Sequence, residues 1–377
     1  MKETVSESAS LTAEPAKKGS NVGKAIAKGV AIFFTVLLLL VVTLFGICFV
    51  AFKGPSNAAK QKVTTSTLEM SAAKWVPHVF LSQEEIDAIV ESNKVVETDV
   101  TTDTSLVNVV AMADISGATS GNSEAVADDE WKDYPEGIRI EKIKGGTYRA
   151  YVMLIRDPSR VYVGTSSKFN GNAPGLRILE AVEREGAVAA INGGGFPDAG
   201  GVGNGAEPIG IVISKGEHLY GGMNSRYTAV AGITNNGVLV VGNLTPKECL
   251  DMGVRDALCF GPILMVNGEP AQISGANGSL NPRTAIGQRA DGTIIFVCVD
   301  GRMPSSPGAT YADLIDIFVE YGAVNALNLD GGSSTHMVYN GELVNVSSSL
   351  YGPRRMPTFF MVRPLEENKV EGGAENE

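Results

Sequence analysis

The longest uninterrupted apolar stretch runs from Val30 to Phe52, VAIFFTVLLLLVVTLFGICFVAF, 23 residues without a charge. At about 1.5 Å rise per residue it spans roughly 34 Å, enough for a hydrocarbon core of about 30 Å. Lipid offers a backbone no hydrogen-bond partners, so the pattern predicts a transmembrane helix. A cleaved signal peptide is the competing reading. The run exceeds the usual apolar region of about 7–15 residues, and no small-x-small site follows it. Cys48 follows Ile47 rather than a small residue, which argues against a lipoprotein. Lys17, Lys18, Lys24 and Lys28 precede the run and favour a cytoplasmic N-terminus; Lys53, Lys60 and Lys62 follow it and weaken that bias.

The pattern then changes. Residues 53–128 read as a stalk and flexible linker. Ser82-Gln83-Glu84-Glu85 has capping-box spacing and opens the helical pattern EEIDAIVESN, a stalk helix or a partner-binding one. Residues 101–128 are rich in Thr, Ser, Asp, Ala and Gly, a linker composition. From Asp129 onward, short apolar runs alternate with glycine turns. TYRAYVMLI, GIVIS, YTAVAGI, GVLVVG, GTIIFVCVD and PTFFMV read as strands, and Leu176–Glu185 and Ala312–Tyr321 as helices. Strands outnumber helices, so the expected class is α+β: a mixed β-sheet domain with flanking helices, preceded by one transmembrane helix. The expected boundaries are a tail at 1–29, the span at 30–52, the stalk and linker at 53–128, the domain at 129–366 and an acidic tail at 367–377.

One internal echo stands out. GAVAAIN (186–192) runs into Gly193-Gly194, and GAVNALN (322–328) is followed two residues later by Gly331-Gly332. In both, a helix leads through glycine into a short apolar strand that ends in a polar residue and a glycine turn. Such turns let backbone approach a ligand closely, so the two are candidates for one cleft, or chance copies of a common unit.

Composition narrows the classes. Hydrophobic residues make up 44% and charged residues 19%, enough for a sizeable core. The net charge of -11 argues against nucleic acid, which recruits basic surfaces, but a few arginines suffice for a small anion. Apart from Cys48, the cysteines are Cys249, Cys259 and Cys298, so the globular part can hold at most one disulfide. His78, His218 and His336 are far apart and no HExxH occurs, so no metal site is predicted.

Three turns could carry chemistry. Asp330 directly follows an apolar strand and opens Gly331-Gly332-Ser333-Ser334-Thr335; a buried carboxylate there either caps its own turn or faces a ligand. Asp300, with Gly301 and Arg302, follows the run IIFVCV in the same way, or forms a plain Asp-Gly turn. Two carboxylates at strand ends are the minimum for glycoside hydrolysis. Arg283, in NPRTAIG, offers a planar fork for phosphate or carboxylate, or a structural ion pair. Arg354 and Arg355 form a further basic pair for which a solvated surface role serves as well. Ser333 lacks a GxSxG elbow and is not predicted to be a nucleophile.

Together the stretches AINGGGFPD (190–198), NPRTAIGQRADG (281–292), VDGR (299–302) and GAVNALNLDGGSSTHMV (322–338) resemble the phosphodiester glycosidases, in that family's order and spacing, over about residues 135–364. Departures are Asn192-Gly193-Gly194-Gly195-Phe196 in place of NGGFF, one glycine fewer after Asp330, and Arg355-Met356-Pro357 where the family has an arginine-proline pair.

The resemblance implies cleavage of an α-linked sugar from a phosphodiester. It assigns Arg283, Asp300 and Asp330 to catalysis, with no division of labour between the two aspartates. Asn192, Gly193, Gly194, Thr284, Arg302, Asn328, Gly331, Gly332, Ser333, Ser334 and Thr335 would bind substrate. No cofactor or metal is expected; a divalent cation could sit on the aspartates but nothing demands one. The expected partners are a sugar phosphodiester or cell-surface glycan and, through one helix, a membrane, with the domain outside the cytoplasm. A non-catalytic glycan-binding module is the rival reading, and a phosphodiesterase cutting P–O a third.

Overall fold

The computed structural model describes residues 19–70, 73–109, 130–169, 171, 173–198, 203–275, 278–349 and 352–365. The start of the chain, the centre of the expected linker and the acidic C-terminal stretch lie outside them. Two units separate, Met1–Pro55 and Ser56–Glu377. Among its described residues the first has one helix, Gly19–Lys53, whose segment Gly23–Lys53 is long and apolar enough to cross a membrane. Length and composition fit a membrane span and a signal sequence alike.

The second unit is built on three antiparallel sheets. The largest has seven strands in the order Ile138–Lys144, Arg149–Ile155, Ile294–Val299, Arg283–Arg289, Ala323–Leu329, Ile263–Val266 and Glu269–Pro270. The second runs Glu342–Leu343, Met337–Tyr339, Ala189–Asn192, Thr358–Val362 and Val161–Thr165. The third runs Glu217–Tyr220, Val212–Ser214, Val254–Cys259, Tyr227–Thr234 and Leu239–Leu244.

All three sheets turn one face onto a shared core that includes Met153, Val163, Ile191, Leu258, Phe296 and Phe360. The strand Ile294–Val299 shows why its sequence is apolar throughout rather than alternating. Ile294, Phe296 and Cys298 face this shared core, while Ile295, Val297 and Val299 face a second one under helix Tyr311–Glu320. A strand covered on both faces has no polar side to present. The edge strand Ile138–Lys144, IRIEKIK, carries charges that blunt its open edge. Helix Ile178–Glu185 covers the five-stranded sheet containing Ala189–Asn192 through Ile178, Ala181 and Val182. The mixed helix-and-sheet class is therefore as expected.

The stretch expected as a stalk does not hang free. Ser56 accepts a hydrogen bond from Ala59 N and caps helix Asn57–Leu68, and Ser82 and Glu85 close the capping box of helix Gln83–Glu91. Val95 bridges to Ile273, and Val96 N donates to Gln272 O at 2.9 Å. Thr102 is buried; its N donates to Val241 O at 3.0 Å and its hydroxyl accepts from Val241 N at 2.8 Å. Residues 56–109 thus include segments that satisfy backbone groups of the domain, a role that local composition does not reveal. Cys48, Cys249, Cys259 and Cys298 are all free thiols.

Phe296 joins two sheets, its ring 6.4 Å from that of Phe360. Phe296→Ala should destabilise the folded unit by about 3–5 kcal/mol, read as a shift in denaturant midpoint, because the sheets cannot close over the cavity.

Candidate active site

The two glycine turns of the internal echo meet. Asn192 ends strand Ala189–Asn192 and is buried; its Nδ2 donates to Asp330 O at 2.5 Å, and Asp330 N donates to Gly193 O at 3.2 Å. Asn192 Oδ1 in turn accepts from Thr284 Oγ1 at 2.7 Å and from His336 N at 3.1 Å. One carboxamide therefore ties strand ends of two sheets together. Gly193 has to be glycine because a Cβ would lie 2.7–2.8 Å from Thr358.

Beside this junction lies a pocket of about 480 Å³, within the range of about 300–1,000 Å³ that ligand sites occupy. Of the residues anticipated from the sequence, Arg283, Arg302, Asp330, Gly331, Gly332, Ser333 and Ser334 line it. Asn192, Gly193, Gly194, Thr284, Asn328 and Thr335 do not; they lie behind the lining. Asn328 Nδ2, for example, donates to Gly261 O at 2.7 Å and holds a neighbouring turn.

Asp300 does not line the pocket either. It is fully buried at the end of strand Ile294–Val299, where Oδ1 accepts from Val346 N at 2.9 Å and Arg149 Nη2 lies 3.8 Å from Oδ2. The expected convergence of Arg283, Asp300 and Asp330 on one pocket is thus met by two of the three. The third carboxylate anchors the loop at Val346, because the turn after Gly301 directs Arg302, not Asp300, to the pocket.

The pocket also holds groups outside the anticipated set. Asp198 and Arg354 form a two-pronged ion pair, with both contacts at 2.7 Å, and the Arg354 guanidinium lies 5.0 Å from the Phe196 ring centroid. Arg354 also reaches Ser333 Oγ at 3.3 Å. Asp198 and Phe196 sit in the quoted stretch AINGGGFPD and Arg354 in the basic pair, so a signal existed for both. None existed for Glu69, from the segment after helix Asn57–Leu68. Its carboxylate lies 3.3 Å from Arg283 Nη1 and accepts hydrogen bonds from Ser279 Oγ and from Asn281 Nδ2, the latter at 2.7 Å.

The two pocket arginines differ. Arg283 is buried and almost saturated: Nε donates to Ala309 O, Nη2 donates to Ser279 O and Oγ, and its plane lies 4.1 Å from the Tyr311 ring centroid. Burial works against its charge, but Tyr311 and Glu69 outweigh it and its pKa rises. Arg302 adopts φ 59°, a left-handed conformation unusual outside glycine. Its Nη2 donates to Asn281 Oδ1 at 3.2 Å, and its Nε, buried, has no hydrogen-bond partner among the described residues. Gly332 makes room for it, since a Cβ there would lie 3.0 Å from Nη2. Arg302 therefore lines the pocket with donor capacity that the described side chains do not fill.

Asp330 lines the same pocket, where its charge acts on Arg302. Burial raises its carboxyl pKa from 3.8 to about 6, against hydrogen bonds from Ser334 and Gly331 N and the charge of Arg354, which lower it; Asp198 adds to the rise. His336 braces the turn from behind. Its Nδ1 lies 3.0 Å from Ser334 O and its Nε2 3.0 Å from Ser347 Oγ, so Nδ1 carries the proton and Nε2 accepts from the serine. Burial lowers its pKa, which keeps that neutral form. No group of three or more His, Cys, Asp or Glu that could hold a metal ion occurs among the described residues.

Guanidinium groups and a raised carboxyl thus line one pocket at a strand-end turn. Residues 185–363 match the family model of the phosphodiester glycosidases. The chain is 32% identical over 200 residues to the SPbeta prophage-derived uncharacterized protein YomE of Bacillus subtilis, covering 50% of this chain and 29% of that one. It is 30% identical over 191 residues to the N-acetylglucosamine-1-phosphodiester alpha-N-acetylglucosaminidase of Bos taurus, covering 45% of this chain and 34% of that one. The matches thus span about a third of these relatives' length. Among solved structures, the zebrafish N-acetylglucosamine-1-phosphodiester alpha-N-acetylglucosaminidase catalytic domain, auto-inhibited by its pro-peptide, shares the fold. Its TM-score is 0.51 at 23% identity, over 60% of this chain and 82% of that one.

A raised carboxyl pKa means the fold favours the protonated acid. That contribution is fully present below pH 3.8 and is lost as pH climbs through about 6. Asp330→Asn should therefore make the protein more resistant to denaturant at pH 7, with the gap closing as pH falls from 6 toward 4. A variant less stable than wild type at pH 7 would contradict this account of the carboxyl.

Proposed function

We propose that this chain is a phosphodiester glycosidase that hydrolyses the bond between the anomeric carbon of a sugar and its phosphate, in a sugar-1-phosphodiester. The observation that carries this reading is one pocket lined by Arg302, Arg283 and Asp330, in a region that overlaps the match to the phosphodiester glycosidase model. The phosphate is a good leaving group, so little acid catalysis is needed. What the reaction needs is a clamp for the departing charge and a carboxylate near the anomeric carbon. In this reading the C1–O bond breaks with its electron pair leaving on the phosphate oxygen. Arg302 and Arg283 hold that oxyanion, and Asp330 stabilises or attacks C1, which finally takes the hydroxyl of water. Asp198 stays tied to Arg354, and Ser333, Ser334 and the Gly331–Gly332 turn bind the sugar.

Glu69 occupies the Arg283 side of the clamp in this reading, where a phosphate oxygen would lie. The zebrafish relative is described as auto-inhibited by its pro-peptide. Segment 56–70 would play the corresponding part here as a competitor tethered to the domain. Helix Gly23–Lys53 would anchor the chain in a cell membrane with its N-terminus cytoplasmic, presenting the domain to sugar polymers of the cell envelope or to exopolysaccharide.

Turnover of a chromogenic sugar-1-phosphodiester tests the reading and separates it from a glycan-binding module. Asp330→Asn should lower kcat by about 10²–10⁴-fold with substrate binding retained. The lower limb of the wild-type pH profile should fall near pH 6. Hydrolysis in isotopically labelled water should place the label on the sugar; label on phosphate would establish P–O cleavage instead. Glu69→Ala should lower KM by roughly tenfold, equivalent to about 1.4 kcal/mol, at unchanged kcat. An unchanged KM would remove Glu69 as a competitor.

A further inference from the structure

Asp300 is fully buried yet stands outside the pocket, and its carboxylate is only half used. Oδ1 accepts from Val346 N at 2.9 Å; Oδ2 has no hydrogen-bond partner among the described residues, with Arg149 Nη2 3.8 Å away. A desolvated carboxylate is costly unless it holds something in place. Its own backbone is fixed without the side chain. Asp300 N donates to Arg149 O at 2.9 Å, and Asp300 O accepts from Ser306 Oγ at 2.7 Å. The side chain therefore acts on what lies beyond it, the loop 345–349.

That loop has no apolar anchor: its only hydrophobic residue, Val346, is 46% exposed. What it makes instead is hydrogen bonds to residues 332–337, which follow Asp330. Asn345 Nδ2 donates to Thr335 O at 3.1 Å, and its Oδ1 accepts from Met337 N at 2.7 Å. Ser347 Oγ donates to His336 Nε2 at 3.0 Å, and His336 Nδ1 donates to Ser334 O at 3.0 Å. Ser348 Oγ donates to Gly332 O at 3.0 Å. The Ser334 side chain in turn hydrogen-bonds the Asp330 carboxylate. Val346, which Asp300 holds, sits between Asn345 and Ser347, so one hydrogen bond steadies both grips on the turn.

We propose that Asp300 is a positioning residue: it holds Val346 so that loop 345–349 sets the turn carrying Asp330 and Ser334, and it does not touch substrate. The proposal rests on the phosphodiester glycosidase reading for the reaction it serves. Releasing the loop lets Ser334 leave Asp330, whose carboxylate then has one donor fewer. Arg354 and Gly331 N still favour its charged form, and burial and Asp198 still oppose it, while Arg302 feels its charge. The charges around Asp300 itself are Arg149 and Lys142. With these unchanged, loss of the Ser334 hydrogen bond raises the pKa of Asp330 further.

The test uses the full chain in detergent micelles, assayed on a sugar-1-phosphodiester as wild type and in the Glu69→Ala background. Asp300→Ala should lower kcat by about tenfold or more and move the lower limb of the pH profile up by about one unit, the scale of one hydrogen bond to a carboxylate. Asp300→Asn keeps an oxygen for Val346 N and should recover most of both. The pair Ser347→Ala and Ser348→Ala leaves Asp300 in place but cuts the loop from His336 and Gly332. It should reproduce the loss, and adding Asp300→Ala to it should lower kcat by no more than about twofold further, because both act through one chain of contacts. Asp300→Asn as inactive as Asp300→Ala, fully additive losses, or an unmoved limb overturns the proposal and leaves the glycosidase reading intact. If Asp300→Ala does not fold, the serine pair alone must move the limb. If no chain turns over the phosphodiester, the glycosidase reading falls and stability decides the positioning. The gain in denaturant resistance from Asp330→Asn at pH 7 should then be larger in the serine-pair chain and begin to close at a higher pH than in wild type. An unchanged gap overturns the proposal as well.

Discussion

The site hangs on the side chain of Asn192. Its carboxamide is buried where two sheets converge, and it can accept and donate at once. It donates to the backbone of Asp330 and accepts from Thr284 and His336 N, so strand ends far apart in sequence share one fixed point. A buried amide so used is costly to lose, because each partner would be left unpaired in a water-poor interior. Everything else in the pocket is placed relative to this knot: the Asp330 turn, the Gly332 gap that admits Arg302, and the His336 ring beneath Ser334.

Charge balance follows from that placement. Lys74, Arg283, Arg302 and Arg354 line the pocket together with Glu69, Asp198 and Asp330. Asp198 neutralises Arg354, which leaves Asp330 facing the more open guanidinium of Arg302. Glu69 comes from outside the matched region, and its removal would expose an excess of positive charge.

Much of the scaffold was legible because its signals are local. Runs such as IIFVCV are apolar along their whole length because both faces are buried, and helix Gln83–Glu91 announces itself through Ser82 and Glu85. Helix Asn57–Leu68 was not legible, because NAAKQKVTTSTL is polar and threonine-rich and shows no apolar stripe; its Ser56 cap was the only cue. Within the site, Arg283, Arg302 and the Asp330–Ser334 turn were readable from glycine-bearing strand ends. Asp300 was not placed correctly by the same logic, since an aspartate before glycine looks alike whether it faces a ligand or pins a loop. Glu69 and Tyr311 owe their positions to tertiary packing alone, which no window of sequence encodes.

The three thiols of the domain have a consequence for what holds it together. Cys249, Cys259 and Cys298 are each buried and none is bonded to another. The unit is held by three sheets closing on one apolar interior and by buried amides, none of which senses redox potential. None of its cross-links therefore depends on the oxidation of a thiol.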